Sequence, residues 1–183
     1  MRTCLVLGGG DTLHADLAAY EGPVDGVVAC NDAGKVYPGH LDAWVSLHGS
    51  YFTSKGWLKA REAAGYDPAD RLFVHESVVK SIEHHDPELA KLIEVSTYNF
   101  PGHLPSGSSG LFAAKVALVD LGFDRAVLCG IPLTATPHFF DRPDQPWRPG
   151  PQYHHVWLSI AKEWRDRMRS MSGWTRVLLG PPE

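Results

Sequence analysis

The chain lacks the features that mark several functional classes. It has only three cysteines, Cys4, Cys30 and Cys129, far apart and each in or at the end of an apolar run. They read as buried thiols of a reducing compartment, not as a disulfide frame. No run of about 18 uncharged apolar residues exists, so no membrane-spanning helix is expected. The apolar start of MRTCLVLGGG is cut at once by three glycines, so a secretory leader is not expected either. The cytoplasm is the expected compartment. A basic excess is missing: 17 Lys and Arg against 21 Asp and Glu leave a net charge of −4. Nucleic acid held by phosphate contacts is therefore not an expected partner. HExxH, CxxC and GxSxG spacings are all absent. Histidine is abundant, with ten in 183 residues. Its pairs, His84-His85 and His154-His155, are sequence neighbours, which a helix points about 100° apart. No metal site is expected from them.

What the chain does have is the composition of an ordinary globular domain, 44% hydrophobic and 21% charged. That suffices for a single domain over 1–183 with a real core. Apolar runs at 3–7, 26–30, 43–47, 71–75, 125–129 and 175–179 predict strands. Most lack strict alternation, as strands covered on both faces do. Between them, Leu13, Leu17 and Tyr20 share a helical face, as do Trp57, Leu58, Arg61 and Ala64. Leu111, Lys115, Leu118 and Leu121 repeat at helical spacing up to a stop at Gly122. A last helix is predicted over 153–170. The alternation implies an α/β fold: one doubly wound, mainly parallel sheet of Rossmann-like kind with helices on both faces.

Three segments carry ligand-binding composition. In LVLGGGDTL (5–13), a strand runs into Gly8, Gly9 and Gly10 and then toward a helix. Glycines there let backbone N–H groups approach a phosphate, although a tight turn without a ligand needs them equally. The dinucleotide fingerprint is incomplete, because Leu13 stands where its third glycine belongs. Asn31 and Asp32 follow the second strand, where an acidic or amide side chain can meet a ribose and where both residues also suit a turn. In PSGSSG (105–110), Ser106, Ser108, Ser109 and Gly110 open a helix. They suit an anion or nucleotide there, or a simple N-cap. No Walker lysine follows.

Two stretches interrupt the rhythm, NFPGHLPSGSSG (99–110) and 134–152, which holds prolines at 137, 143, 146, 149 and 151. A long loop in a small domain is commonly functional, and 134–152 is expected to act as a mobile lid. Its aromatics Phe139, Phe140 and Trp147 also suit packing into a second copy, so a homo-oligomer is a further expectation. His154 and His155 open the last predicted helix directly after this loop, a position suited to a general base.

The order of these motifs resembles bacterial sialyltransferases that decorate lipooligosaccharide from CMP-sialic acid. SGSSGLFAAKVALVDLGFDRAVLCGIPL (106–133) resembles their Ser-Gly, helix, Leu-Gly-Phe/Tyr, strand, Gly-Ile-Asp-Phe segment. LVLGGGDTL resembles their Gly-Asn-Gly-Pro-Ser-Leu loop, VACNDA a strand ending in Cys-Asn, HFFDRP a Tyr-Ala-Phe-Asp element, and QYHHVW the stretch holding their catalytic histidine. The skeleton is also similar to a wider family that includes an archaeal hydroxymethyl-dihydropterin pyrophosphokinase. The sialyltransferase resemblance implies that Gly8, Gly9, Gly10 and Asp11 line the nucleotide phosphates, with Asn31 and Asp32 on the nucleotide or donor sugar. It places Ser106, Ser108, Ser109 and Gly110 at the nucleoside, and makes His155 or His154 the base. Departures are Gly9 for Asn, Asp11-Thr12 for Pro-Ser, Pro132 for Asp and His138 for a phosphate-binding Tyr, whose part falls to Tyr153.

The expected function is a glycosyltransferase-like reaction needing no cofactor, from a nucleotide-activated donor such as a CMP-sugar to an acceptor hydroxyl. The alternatives are a pyrophosphokinase-like transferase using ATP and Mg²⁺, with Asp11 and Asp32 as its carboxylates, and a nucleotide-binding module without chemistry. A plain NAD-binding domain ranks third.

Overall fold

The computed structural model describes residues 1–101, 103, 108–142, 144 and 149–183. Strand β1 (Thr3–Leu7) leads to α1 (Leu13–Ala19), β2 (Gly26–Cys30), α2 (Ala33–Val36) and β3 (Ala43–Ser46). Next come α3 (Tyr51–Ser54), α4 (Trp57–Ala63), β4 (Leu72–His75), α5 (Val79–His85), α6 (Pro87–Ala90) and β5 (Ile93–Ser96). Helix α7 (Ser109–Lys115) runs on through a π-helical turn, Val116–Asp120, to β6 (Arg125–Cys129). The chain ends with α8 (His154–Leu158), α9 (Lys162–Arg165), β7 (Met168–Ser170) and α10 (Gly173–Leu179). The seven strands among the described residues are all parallel, in the order β5-β4-β3-β2-β1-β6-β7.

The near-continuous apolar runs are explained by the two faces of this sheet. Side chains alternate across a strand, so Cys4 and Val6 of β1 enter one core with Val28, Val45 and Leu128. Leu5 and Leu7 enter the other with Val27, Trp44 and Val127. Helix α7 covers the first face, packing on β1, β2 and β3. The second face is filled by Leu13, Phe52 and Trp57 around Trp44, which stacks on Trp57 at 6.1 Å. The expected doubly wound α/β sheet with helices on both faces is thus what the chain forms. All three cysteines are free and buried. No helix among the described residues is long and apolar enough to cross a membrane.

Two buried cations, Arg61 and Lys115, have their donors satisfied in different ways. Arg61, 2% exposed, donates to the carbonyls of Gly34, Tyr37, Gly39 and Asp67, so a helical-face residue serves as a strut for two loops. Lys115 meets both carboxylate oxygens of Asp120 at 3.0 and 2.9 Å across the π turn, and Ser96 Oγ at 2.5 Å.

The C-terminal expectations need correction. The run 175–179 is not a strand but lies in α10: Thr175 and Leu179, four apart, are buried while Val177 is 85% exposed. The edge of β6 is taken instead by β7, which cuts the predicted 153–170 helix short. That helix already breaks before Ala161, whose ψ of 144° is extended. Local helical periodicity lost there to pairing with an open sheet edge. The unread strand β5 is short, edge-placed and half-exposed, with Glu94 interrupting its apolar pattern. Gly122, at φ 67°, does end the 109–121 helical stretch.

Candidate functional site

Strand β1 hands the chain to α1 and the second core, whereas the residues after β6, Ile131 and Leu133, enter the first core. At that reversal a crevice opens above the carboxyl ends of the strands, the usual ligand position in such sheets. It is a cleft of about 290 Å³, at the small end of the roughly 300–1,000 Å³ usual for small-molecule sites. Gly8, Gly9, Gly10, Asn31, Asp32, Ser108, Ser109, Gly110, His138 and Tyr153 all line it. Residues far apart in the sequence are brought together there.

Asn31 is the most constrained of them. Its φ of 49° is left-handed, a region amide side chains tolerate better than most. Its carbonyl accepts from Trp44 Nε1 at 2.7 Å, and its N–H donates to Val45 O at 3.1 Å. The buried Ser46 hydroxyl donates to Asn31 Oδ1 at 2.9 Å and itself accepts from the His48 N–H at 2.9 Å. Because Oδ1 is engaged, the amide's ligand-facing capacity is its Nδ2 donors, which suit an anionic or carbonyl oxygen. Asp32 pairs with Lys35 at 2.5 Å.

The glycine loop lines the cleft and is also held by packing and backbone hydrogen bonds. A Cβ at Gly8 would lie 2.4 Å from Ile131 Cγ1, and one at Gly10 2.5 Å from Pro132 Cδ. Small residues are needed there for packing against 130–132. The Gly8 and Gly10 N–H groups donate to Cys129 O and Gly130 O, both at 2.8 Å, so the loop offers a ligand fewer donors than its composition suggests. Asp11 is exposed and stands outside the cleft lining. Ser108 caps α7, accepting from Leu111 N at 3.4 Å, and its Oγ also receives Trp157 Nε1 at 3.2 Å. Ser106 and Trp147 lie outside the described residues.

The first part of the proline-rich loop is docked on the glycines. Gly10 and His138 form an antiparallel bridge, Phe139 N donates to Gly9 O at 3.0 Å, and Asp11 N to Pro137 O at 3.3 Å. His138 lines the cleft with Nδ1 2.7 Å from Asp141 Oδ2, its ring stacked on Phe140 at 4.9 Å.

Neither histidine of the 154–155 pair lines the cleft. His154 points Nε2 at Leu133 O, 2.8 Å away, and stacks on Trp174. His155 is exposed. Among the described residues, no three His, Cys, Asp or Glu side chains converge as metal ligands. The sequence signals did not point to His48 and the 131–133 floor, which line the cleft, or to Ser46, which holds Asn31 from behind. Ser46 ends β3 and His48 follows it, at the level of Asn31 after β2, and polar residues at and just past the end of a buried strand are the signal that identifies them.

No protein-family model matches the chain, and no curated protein matches it in sequence. Solved structures do match. The sialyltransferase CstII from Campylobacter jejuni, in complex with the substrate analogue cytidine-5'-monophosphate, superposes with a TM-score of 0.59. A CstII structure with trisaccharide acceptor and CMP gives 0.65. Each is 14% identical and covers 100% of this chain and 86% of that one. The fold is sialyltransferase-like. The monofunctional alpha-2,3-sialyltransferase Cst-I from the same organism also matches, with a TM-score of 0.61 and 14% identity over 100% of this chain and 80% of that one. At this identity the likeness concerns the fold.

Proposed function

We propose that the chain is a glycosyltransferase-like enzyme that takes a sugar from a nucleotide-activated donor, a CMP-sugar first among them, to an acceptor hydroxyl. The observation that carries this reading is the cleft at the strand reversal. It combines the fixed Asn31 amide, the glycine loop and the Ser109-Gly110 helix start. Structural neighbours crystallised with CMP support the choice of nucleotide. No metal or cofactor is required in this scheme.

The proton-accepting histidine is His138 in this proposal, in place of His154 or His155. Its support is the cleft-wall position and the Asp141 carboxylate at Nδ1, which fixes the ring and the tautomer with Nε2 basic. As the acceptor oxygen bonds to the anomeric carbon, the bond from that carbon to the phosphate oxygen breaks. The electron pair stays on the phosphate, and the hydroxyl proton passes to His138 Nε2. The cytoplasm is the proposed place of this reaction.

The test is a thermal-shift screen with CMP, CDP, UDP, GDP, ATP and NAD, with and without Mg²⁺, followed by transfer assays with the matching nucleotide sugar. A ligand at 100 times its Kd adds about 2.7 kcal/mol, and each kcal/mol is worth roughly 2–4 °C at this size. A shift with CMP followed by transfer, lost in His138→Ala with CMP affinity kept, is the expected result. Stabilisation only by ATP with Mg²⁺ would favour the pyrophosphokinase-like alternative. Binding without hydrolysis or transfer would leave a nucleotide-binding module.

A further inference from the structure

The floor of the cleft is a short run of backbone, and each of its carbonyls is held from elsewhere. Gly130 O accepts from Gly10 N at 2.8 Å, and Ile131 O from Thr175 Oγ1 at 2.6 Å. Pro132 O accepts from Trp174 N at 2.8 Å, and Leu133 O from His154 Nε2 at 2.8 Å. The glycine loop, α10 and α8 therefore grip the successive residues between them. The grip is needed. Leu133 has a φ of 48°, a left-handed conformation that an aliphatic side chain resists, and it is only 5% exposed.

His154 is fixed for this contact on two sides. Its ring lies flat on Trp174, centroids 3.7 Å apart and planes within 5°, while Trp174 itself supplies the N–H to Pro132. Donation to a carbonyl places a proton on Nε2, so this nitrogen is occupied by structure and does not serve as the base. The contact also joins the two stems of the proline-rich loop, which leaves the floor after Leu133 and returns at Tyr153. Leu133, Thr134 and Tyr153 line the cleft, whereas His154 does not.

We infer that His154 is a positioning residue: its Nε2–Leu133 hydrogen bond ties the chain leaving the floor at Leu133 to the chain returning at Tyr153 and holds the left-handed floor in its ligand-ready shape. The affinity part of this inference rests on the cleft being a nucleotide site; the tie between the two stems does not.

Two variants of the full chain test it. His154→Phe keeps an aromatic face for Trp174 and loses the donor, and His154→Gln keeps an amide donor in its place. Backbone hydrogen exchange at 133–138 and the Kd for CMP are read for both, with exchange in β1, β2 and β6 as the control. In His154→Phe, exchange at 133–138 should rise about tenfold, because one part-buried hydrogen bond is lost. The strands should keep their protection. CMP should bind about tenfold more weakly, KM for a donor should rise more than kcat falls, and His154→Gln should recover part of each loss. Unchanged exchange and affinity with abolished turnover would overturn the inference and make His154 a proton carrier. Equal loss of protection throughout the sheet would overturn it too, leaving a general packing role. If wild type binds no nucleotide, the exchange comparison still decides the tie, and only the nucleotide reading fails.

Discussion

Replacing Asp16 tests how firmly the end of β6 is anchored to the rest of the site. Asp16 is 6% exposed, and its Oδ2 receives Gly130 N at 2.8 Å, Thr12 Oγ1 at 3.0 Å and Ser172 Oγ at 2.7 Å. One carboxylate oxygen thus joins the approach to α1, the exit of β6 and the approach to α10. In Asp16→Ala the three bonds do not all count in full. The Thr12 and Ser172 hydroxyls already lie 2.8 Å apart and keep each other as partners. Gly130 N–H has no such substitute, and an orphaned buried donor costs about 1–3 kcal/mol. Adding the charge assistance lost from the hydroxyl bonds gives about 3 kcal/mol in all. At roughly 2–4 °C per kcal/mol, Tm should fall by roughly 6–12 °C. Asp16→Asn keeps an acceptor oxygen without the charge and should lose about half as much. Urea unfolding followed by circular dichroism gives the free energies, provided the slope against denaturant is unchanged. A loss below about 1 kcal/mol in Asp16→Ala would refute the reasoning, because Gly130 would then have found another partner or water.

Two further outcomes follow from titrating groups. Burial pushes the Asp141 carboxyl up, but its hydrogen bonds to His138 and that ring's charge outweigh burial and hold it below the usual carboxylate range. A carboxylate lowered in the folded state stabilises above its unfolded pKa of about 3.9 and loses that contribution as pH falls through the folded value. The 138–141 turn should therefore loosen only below about pH 4. Exchange at His138, whose N–H donates to Asp141 Oδ2 at 3.2 Å, should show it after correction for intrinsic rates, and Asp141→Asn should abolish the acid dependence. Burial pushes the Cys30 and Cys129 thiols up to about 12, helped by Asp32 and Asp16 respectively, and raises Cys4 further still. None should react with iodoacetamide at pH 8 until the chain unfolds; mass spectrometry showing rapid native labelling of Cys30 would mean that the cleft opens more deeply than its 3% exposure allows.

The sequence carried the sheet because its signal is local and repeated. A parallel strand buried on both faces must be apolar along its whole length, and 3–7, 26–30 and 125–129 are. The same logic brought Gly8, Asn31, Ser109 and Gly110 to one place, since residues that follow parallel strands or open the crossover helices share one edge of the sheet. Local signals were weaker where elements are short and pairing decides. The segment 168–170 is a strand because β6 had a free edge, and 175–179 is helical because only Thr175 and Leu179 find cover.

The chain by itself thus determines a doubly wound α/β sheet and the strand-end position of its candidate site. Only the tertiary structure decided what the glycines and histidines touch there. Gly8 and Gly10 are small because Ile131 and Pro132, more than a hundred residues away, press on them. Imidazole chemistry is the same at 138, 154 and 155, so no local pattern separates them. The difference lies in what the fold brings to each ring: Asp141 and the cleft to His138, the Leu133 carbonyl and the Trp174 face to His154, and solvent to His155.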